Sequence, residues 1–155
     1  MIYPADPRRA RAEARRDGFV SFRLAGQWLG LPVTVAQEVL AEQAVAPVPL
    51  APPGVAGFLN LRGQIVTAVD LRVRLGLPPR AEGERTMNIV VRDGDELFAL
   101  LVDEVGDVVE VDADRLEPTP PTLEPRWREC CAGVVRMERG LLVVVDAGGL
   151  LRASA

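Results

Sequence analysis

The chain reads as an all-β protein made of two copies of one small β-rich unit packed together, and three observations predict it. Residues 57–77 hold two apolar runs, 57–61 and 65–69, around Arg62-Gly63-Gln64, the pattern of a β-hairpin that turns tightly at glycine. Residues 133–146 repeat that order, with Gly133 matching Gly57 and Asp146 matching Asp70 at one constant, ungapped offset. A further hairpin precedes each copy, turning at Ala25-Gly26-Gln27 in the first half and at Asp93-Gly94-Asp95 in the second.

Taken in order, residues 1–17 are rich in Arg and Ala with little to bury, and are expected to form a flexible or loosely helical tail. One domain is expected over 18–152, with halves at about 18–80 and 85–152 and exchange of strands between the halves left open. From Phe19 the polar and apolar residues alternate through Leu24, and the chain returns through Leu29, Leu31 and Val33. Residues 35–40 continue in extended or marginally helical form. Pro47, Pro49, Pro52 and Pro53 exclude a regular central strand or helix there, so an extended crossing should deliver the chain to Gly57.

Asp70 suits an N-cap, Leu71, Leu75 and Leu77 give a short helix an apolar side, and Gly76 suits its left-handed end. In the second half Asp93-Gly94 is a strong two-residue turn signal. Residues 102–111 interleave Asp103, Glu104, Asp107 and Glu110 with valines, which reads as one strand with a solvated face. Pro118, Pro120, Pro121 and Pro125 then break the chain as the first proline run did. A shared apolar seam is expected from Phe58, Leu59, Val69, Val134 and Val145.

With 155 residues, 48% of them hydrophobic, the chain has ample material for a core and is expected to be stable and soluble. Its net charge of −4 is uneven: Arg8, Arg9, Arg11, Arg15 and Arg16 stand against Asp6 and Glu13 at the front, and the body is acidic. An acidic body argues against nucleic acid as a ligand, since binding phosphates takes clustered positive charge. No apolar run approaches the roughly 20 residues of a membrane span, and no secretory signal core is evident, so a cytoplasmic protein without direct membrane insertion is expected. Cys130 and Cys131 are adjacent, make no disulfide framework, and are expected to be half-buried.

The chain has no histidine and no lysine, and serine occurs only at Ser21 and Ser154 outside any nucleophile context. No phosphate-binding glycine loop or calcium loop is present, so no catalytic residue, metal or cofactor is expected. A binding module remains. Its odd feature is Arg62, a charge within the best apolar unit; either it is a solvated turn residue, or a carboxylate holds its planar fork for a partner, Glu38 being the natural candidate.

These residues resemble the CheW family of bacterial chemotaxis adaptors from about Phe19 to Leu151. The most specific portion is Asn60-Leu61-Arg62-Gly63, Val69-Asp70-Leu71-Arg72 and Leu75-Gly76-Leu77, supported by residues 35–39, 101–105 and 144–146. The resemblance implies two packed five-stranded SH3-like β-barrels with short helical turns. It also implies a non-catalytic scaffold, coupling methyl-accepting chemoreceptors to the histidine kinase CheA and recruited to receptor arrays at the inner face of the membrane. It places the receptor tip in a groove between the barrels lined by Ala36, Glu38, Val39, Arg62 and Met87. It places the regulatory domain of CheA, itself a double barrel, on the stretch 40–48 with Val45 and on the approach to Gly57. Thr67 stands where the family commonly has proline, and Glu117 and Thr122 stand where some members carry basic and aromatic residues at a second kinase contact. Two other readings of the residues stay open: a small-ligand or lipid-binding barrel, and a minor enzyme using the acidic strand.

Overall fold

A computed structural model describes residues 18–138 and 140–152; the Arg-rich segment 1–17, expected to be a tail, lies outside them. Its strands are β1 (Phe19–Leu24), β2 (Gln27–Pro32), β3 (Ala36–Ala41), β4 (Val55–Leu61), β5 (Gln64–Asp70), β6 (Met87–Asp93), β7 (Glu96–Val102), β8 (Glu104–Val109), β9 (Leu116–Glu117), β10 (Cys131–Met137) and β11 (Gly140–Val145). Three short helices are α1 (Leu71–Arg74), α2 (Pro125–Cys130) and α3 (Ala147–Arg152). The strands form a six-stranded sheet in the order β8-β1-β2-β11-β10-β9 and a five-stranded sheet in the order β3-β6-β7-β5-β4.

The repeat in sequence is not the repeat in space. One constant offset maps the β1–β2 hairpin onto β6–β7 and β3 onto β8: Leu24 and Gln27 pair as Asp93 and Glu96 do, and Ala36 faces Val91 as Val105 faces Phe22. A second offset maps β4–β5 onto β10–β11, so that Leu61 and Gln64 pair as Met137 and Gly140 do. Each sheet combines the first hairpin of one half with the later strands of the other, joined by a parallel pair, β2 with β11 and β7 with β5. The sixth strand of the first sheet is the two-residue β9 on β10, where the second sheet has the single bridge Ala46 to Phe58.

Three apolar clusters follow from this exchange. Phe19, Val135, Leu142 and Val144 fill the first barrel, Leu59, Leu61, Val66 and Val90 the second, and a central cluster including Phe22, Leu31, Ile89, Leu100, Trp127 and Leu150 joins them. The expected seam is therefore corrected: Val69, Val134 and Val145 are central, Leu59 lies inside the second barrel, and Phe58 is 40% exposed. The bulge between Val55 and Gly57 sets the alternation so that Leu59 points inward and Phe58, paired with Thr67, points out.

Other expectations shift for local reasons. Pro125 begins α2 at its first turn, where the missing N–H costs nothing, instead of breaking the chain. The hairpin turn in the second half sits at Gly94-Asp95, one residue later than the Asp-Gly signal. Cys130 and Cys131 are both buried, and burial, aided by Cys131, pushes the Cys130 thiol up to about 12. The expected Asp70 N-cap forms, its carboxylate accepting the Arg72 N–H at 3.0 Å, and its counterpart Asp146 accepts the Gly149 N–H at 3.0 Å.

The acidic run is two elements, β7 and β8, with Asp103 at the bend between them, and Asp103 is not a solvated acid. It accepts Arg72 Nε at 3.0 Å and Nη2 at 2.6 Å, Arg80 Nε at 3.0 Å and the Ala25 N–H at 2.7 Å. It thereby ties the β1–β2 turn of the first sheet to α1 and the 78–85 connection of the second. Burial alone would raise its pKa; the Arg72 bond, the Ala25 N–H and the charges of Arg80 and Arg72 outweigh that and lower it.

Candidate protein-docking site

Arg62 sits at the tip of the β4–β5 hairpin, where Leu61 and Gln64 close a two-residue turn with φ of 51° at Arg62 and 86° at Gly63. Both central residues of such a turn need positive φ, which glycine adopts freely and arginine does not. Asn60 supplies the local compensation, its Oδ1 accepting the Gly63 N–H at 2.8 Å. The turn is thus fixed by its own sequence, and it aims the arginine at β3.

There the guanidinium meets Glu38 fork to fork, Nη1 donating to Oε2 at 2.9 Å and Nη2 to Oε1 at 2.5 Å. The bond from Arg62 lowers the Glu38 pKa below the ordinary carboxylate value, and the same bond raises that of Arg62. Arg62 remains 69% exposed while Glu38 is 26% exposed, so the pair presents its arginine outward.

Both residues belong to the second sheet, and they stand at opposite edges of it, on β3 and on the β4–β5 tip. Their pair straddles the seam along which that sheet closes into a barrel. Farther along the same seam the closure is backbone: Ala46 N–H donates to Phe58 C=O at 2.7 Å and Phe58 N–H to Ala46 C=O at 2.9 Å. Gly57 permits this approach, for a Cβ on it would lie 2.1 Å from the Ala46 oxygen, and its φ is 149°. Gly57 is buried and acts by letting the segment 45–47 lie against β4.

Among the other residues singled out from the sequence, Ala36, Val39 and Met87 come together. Ala36 pairs with Val91, Val39 with Ile89 and Ala41 with Met87, so all three lie on the face of β3–β6 that carries the central cluster, with Val39 exposed at its edge. Glu38 pairs with Val90 and lies on the opposite face. Val45, expected in an exposed stretch, is half-buried against the interior of the second barrel. The exposed apolar residues near it are ones the sequence reading placed in the core or passed over. Phe58 and Ile65 share the outer face of β4–β5, being paired with Thr67 and Asn60. The alternation after the Gly57 bulge was the signal that could have found them.

The acidic strand offers no free pair of carboxylates for hydrolysis at its start: Asp103 is held by arginines and Glu104 is paired with Arg23 at 2.5 Å. The interior of the second barrel is packed with apolar side chains, Leu59, Leu61, Val66 and Val90 among them.

The family model described as the CheW-like domain matches residues 18–155. Chemotaxis protein CheW of Klebsiella aerogenes is 29% identical over 133 residues, which cover 86% of this chain and 80% of that protein. Chemotaxis protein CheW of Bacillus subtilis is 29% identical over 132 residues, 85% of each. Protein PilI of Pseudomonas aeruginosa is 30% identical over 126 residues, covering 80% of this chain and 70% of that one. The crystal structure of the scaffolding protein TtCheW from Thermoanaerobacter tengcongensis superposes with a TM-score of 0.77 at 26% identity, covering 86% of this chain and 91% of that chain. With the double barrel, the capped Val69-Asp70-Leu71-Arg72 unit and the family match in agreement, the chain belongs to the CheW-like family of chemotaxis scaffold proteins.

Proposed function

We propose that this chain is a non-catalytic adaptor that couples methyl-accepting chemoreceptors to the histidine kinase CheA, at receptor arrays on the cytoplasmic side of the membrane. The observation that carries the receptor side is the bidentate Glu38–Arg62 pair, locked by the Asn60 turn and still presenting an exposed guanidinium. A charged fork held in place by a neighbouring carboxylate loses little entropy on meeting a partner. The receptor tip would meet it together with Val39, with Ala36 and Met87 supporting the apolar side. No helix among the described residues is long and apolar enough to cross a membrane, so attachment to the array would come through these protein contacts.

The kinase regulatory domain would dock on the outer face of β4–β5, where Phe58 and Ile65 are exposed and Val45 and Gly57 hold the backbone beneath them. Co-sedimentation with receptor-bearing vesicles, alone and with CheA, tests both faces. Arg62→Ala and Glu38→Ala are expected to lose receptor binding and keep kinase binding. Ile65→Asp is expected to do the reverse, because docking would bury an unpaired carboxylate. If Arg62→Ala and Glu38→Ala bind receptor as wild type does, the receptor assignment is wrong.

A further inference from the structure

The exchanged barrels give each residue of the Glu38–Arg62 pair a counterpart. The offset that maps Ala36 onto Val105 and Val39 onto Val108 maps Glu38 onto Asp107. The offset that maps Leu61–Gln64 onto Met137–Gly140 maps Arg62 onto Glu138. The seam of the first barrel therefore carries two carboxylates where the second barrel carries an ion pair. It is also open there, as a groove of about 780 Å³ lined in part by Trp28, Gly106, Asp107, Met137, Glu138 and Leu141. Its wall also differs in detail: Ser21 stands where the second barrel has Val90, and Gly106 stands where it has Gln37, with the Ser21 hydroxyl and the Trp28 ring packed against the glycine.

Among the described residues this groove is lined by three carboxylates and one cation. Glu104 is taken by Arg23, and Arg115, the one described cation lining the groove, donates to the Arg136 carbonyl at 3.0 Å. Asp107 uses its main-chain oxygen, which accepts the Ser21 hydroxyl at 2.6 Å, while its carboxylate and that of Glu138 make no ion pair among the described residues. Along one wall runs β8, the edge strand of the first sheet, with one row of backbone groups unpaired.

We propose that this groove is a second protein-docking site, and that its occupant is an extended partner segment carrying an arginine between apolar side chains. The arginine would take the place that Arg62 fills in the other barrel, forked between Asp107 and Glu138, as a planar guanidinium suits two carboxylates. The flanking apolar residues would cover Trp28 and Leu141, and the backbone would extend β8 by one strand.

The test uses the full chain labelled with 15N and the probe N-acetyl-Leu-Arg-Leu-amide, with the citrulline peptide as its uncharged twin. Amide shifts are expected to cluster at Gly106, Asp107, Glu138 and Leu141, to be much smaller with citrulline, and to survive Arg62→Ala, which separates this site from the receptor site proposed above. Asp107→Asn combined with Glu138→Gln should weaken the arginine peptide by more than about tenfold, since two charge-assisted contacts are lost. Glu138→Arg supplies the missing cation from within and should abolish peptide binding, while Glu138→Gln alone should only weaken it. Scattered shifts, equal binding of the citrulline peptide, or peptide binding kept by Glu138→Arg would each overturn the proposal.

Discussion

The two barrels share one strand plan, one pair of bulge glycines and one pair of capped helical ends, yet they differ in what covers them. Ahead of β10 the chain inserts α2, which packs on α3, and Val134 is buried in the cluster that contains Trp127 and Cys130. Over β4 the corresponding connection is a proline-rich crossing without a helix, and Phe58, the counterpart of Val134, stays outside. A duplicated fold binds partners where its copies have diverged, because the shared positions are already committed to the core. Four sets of substitutions test that comparison.

The largest effect is expected at the bulge glycines. A Cβ at Gly57 would sit 2.1 Å from the Ala46 oxygen, and one at Gly133 2.6 Å from the Glu117 oxygen, with φ of 149° and 151°. Gly57→Val should cost about 3 kcal/mol or more through backbone strain and overpacking, and Gly133→Val somewhat less, since Glu117 belongs to a short edge strand. Urea unfolding of both variants gives the order; a tolerated Gly57→Val would remove the backbone closure of the second barrel as a structural requirement.

Asp103 comes next, because it joins what the duplication separates. Removing its charge in Asp103→Asn takes one of two carboxylate partners from Arg72, only 11% exposed, which keeps Glu84, and from Arg80, which keeps Asp70, a loss of about 2 to 3 kcal/mol on the scale of charge-assisted hydrogen bonds. Its lowered pKa makes the contribution present above the ordinary Asp range and lost as pH falls through the lowered value. Wild type should therefore lose stability on acidification below the ordinary Asp range, and Asp103→Asn should lose less over the same interval. Thermal unfolding across acid pH reads both. Parallel curves for the two proteins would show that Asp103 does not carry the acid limb.

How much of this was legible depended on range. The hairpins were, since a glycine turn between alternating runs is a signal contained in about ten residues, as at Arg62-Gly63. So were the Asp70 cap and the Glu38–Arg62 pair, the latter because a lone charge in an apolar unit demands a partner. The exchange of strands could only be left open, because β5 and β7 pair with nothing in the local pattern to announce it. Asp103 was misread for the same reason: its partners Arg72 and Arg80 are distant in sequence, and an acid on an alternating run looks solvated. Phe58 was misplaced by a single-residue bulge, which flips every later side chain.

The covering difference itself is tested by Phe58→Ala against Val134→Ala. Phe58 is 40% exposed and Val134 4%, so the larger truncation should be the milder one, below about 1 kcal/mol against about 2 kcal/mol. Calorimetric unfolding settles the order. Equal losses would place Phe58 in the core after all, and the outer face of β4–β5 would then lose its claim as a docking surface.

The smallest effect on stability, and the most informative about function, is expected at the Glu38–Arg62 pair. Both groups are solvent-accessible, so Arg62→Ala should leave the unfolding midpoint nearly unchanged, as exposed ion pairs generally do. The carboxylate should nevertheless report the contact. The hydrogen bond from Arg62 holds Glu38 ionised below the ordinary Glu range, and only as pH falls through that lowered value should the fork open. Carbon-detected NMR titration of Glu38 should show the lowered midpoint in wild type and an ordinary one in Arg62→Ala. High salt should narrow the gap, since a pair this accessible is screened. Identical midpoints in the two proteins would mean that the fork does not persist in solution, and the pre-set arginine on which receptor recognition is proposed to rest would go with it.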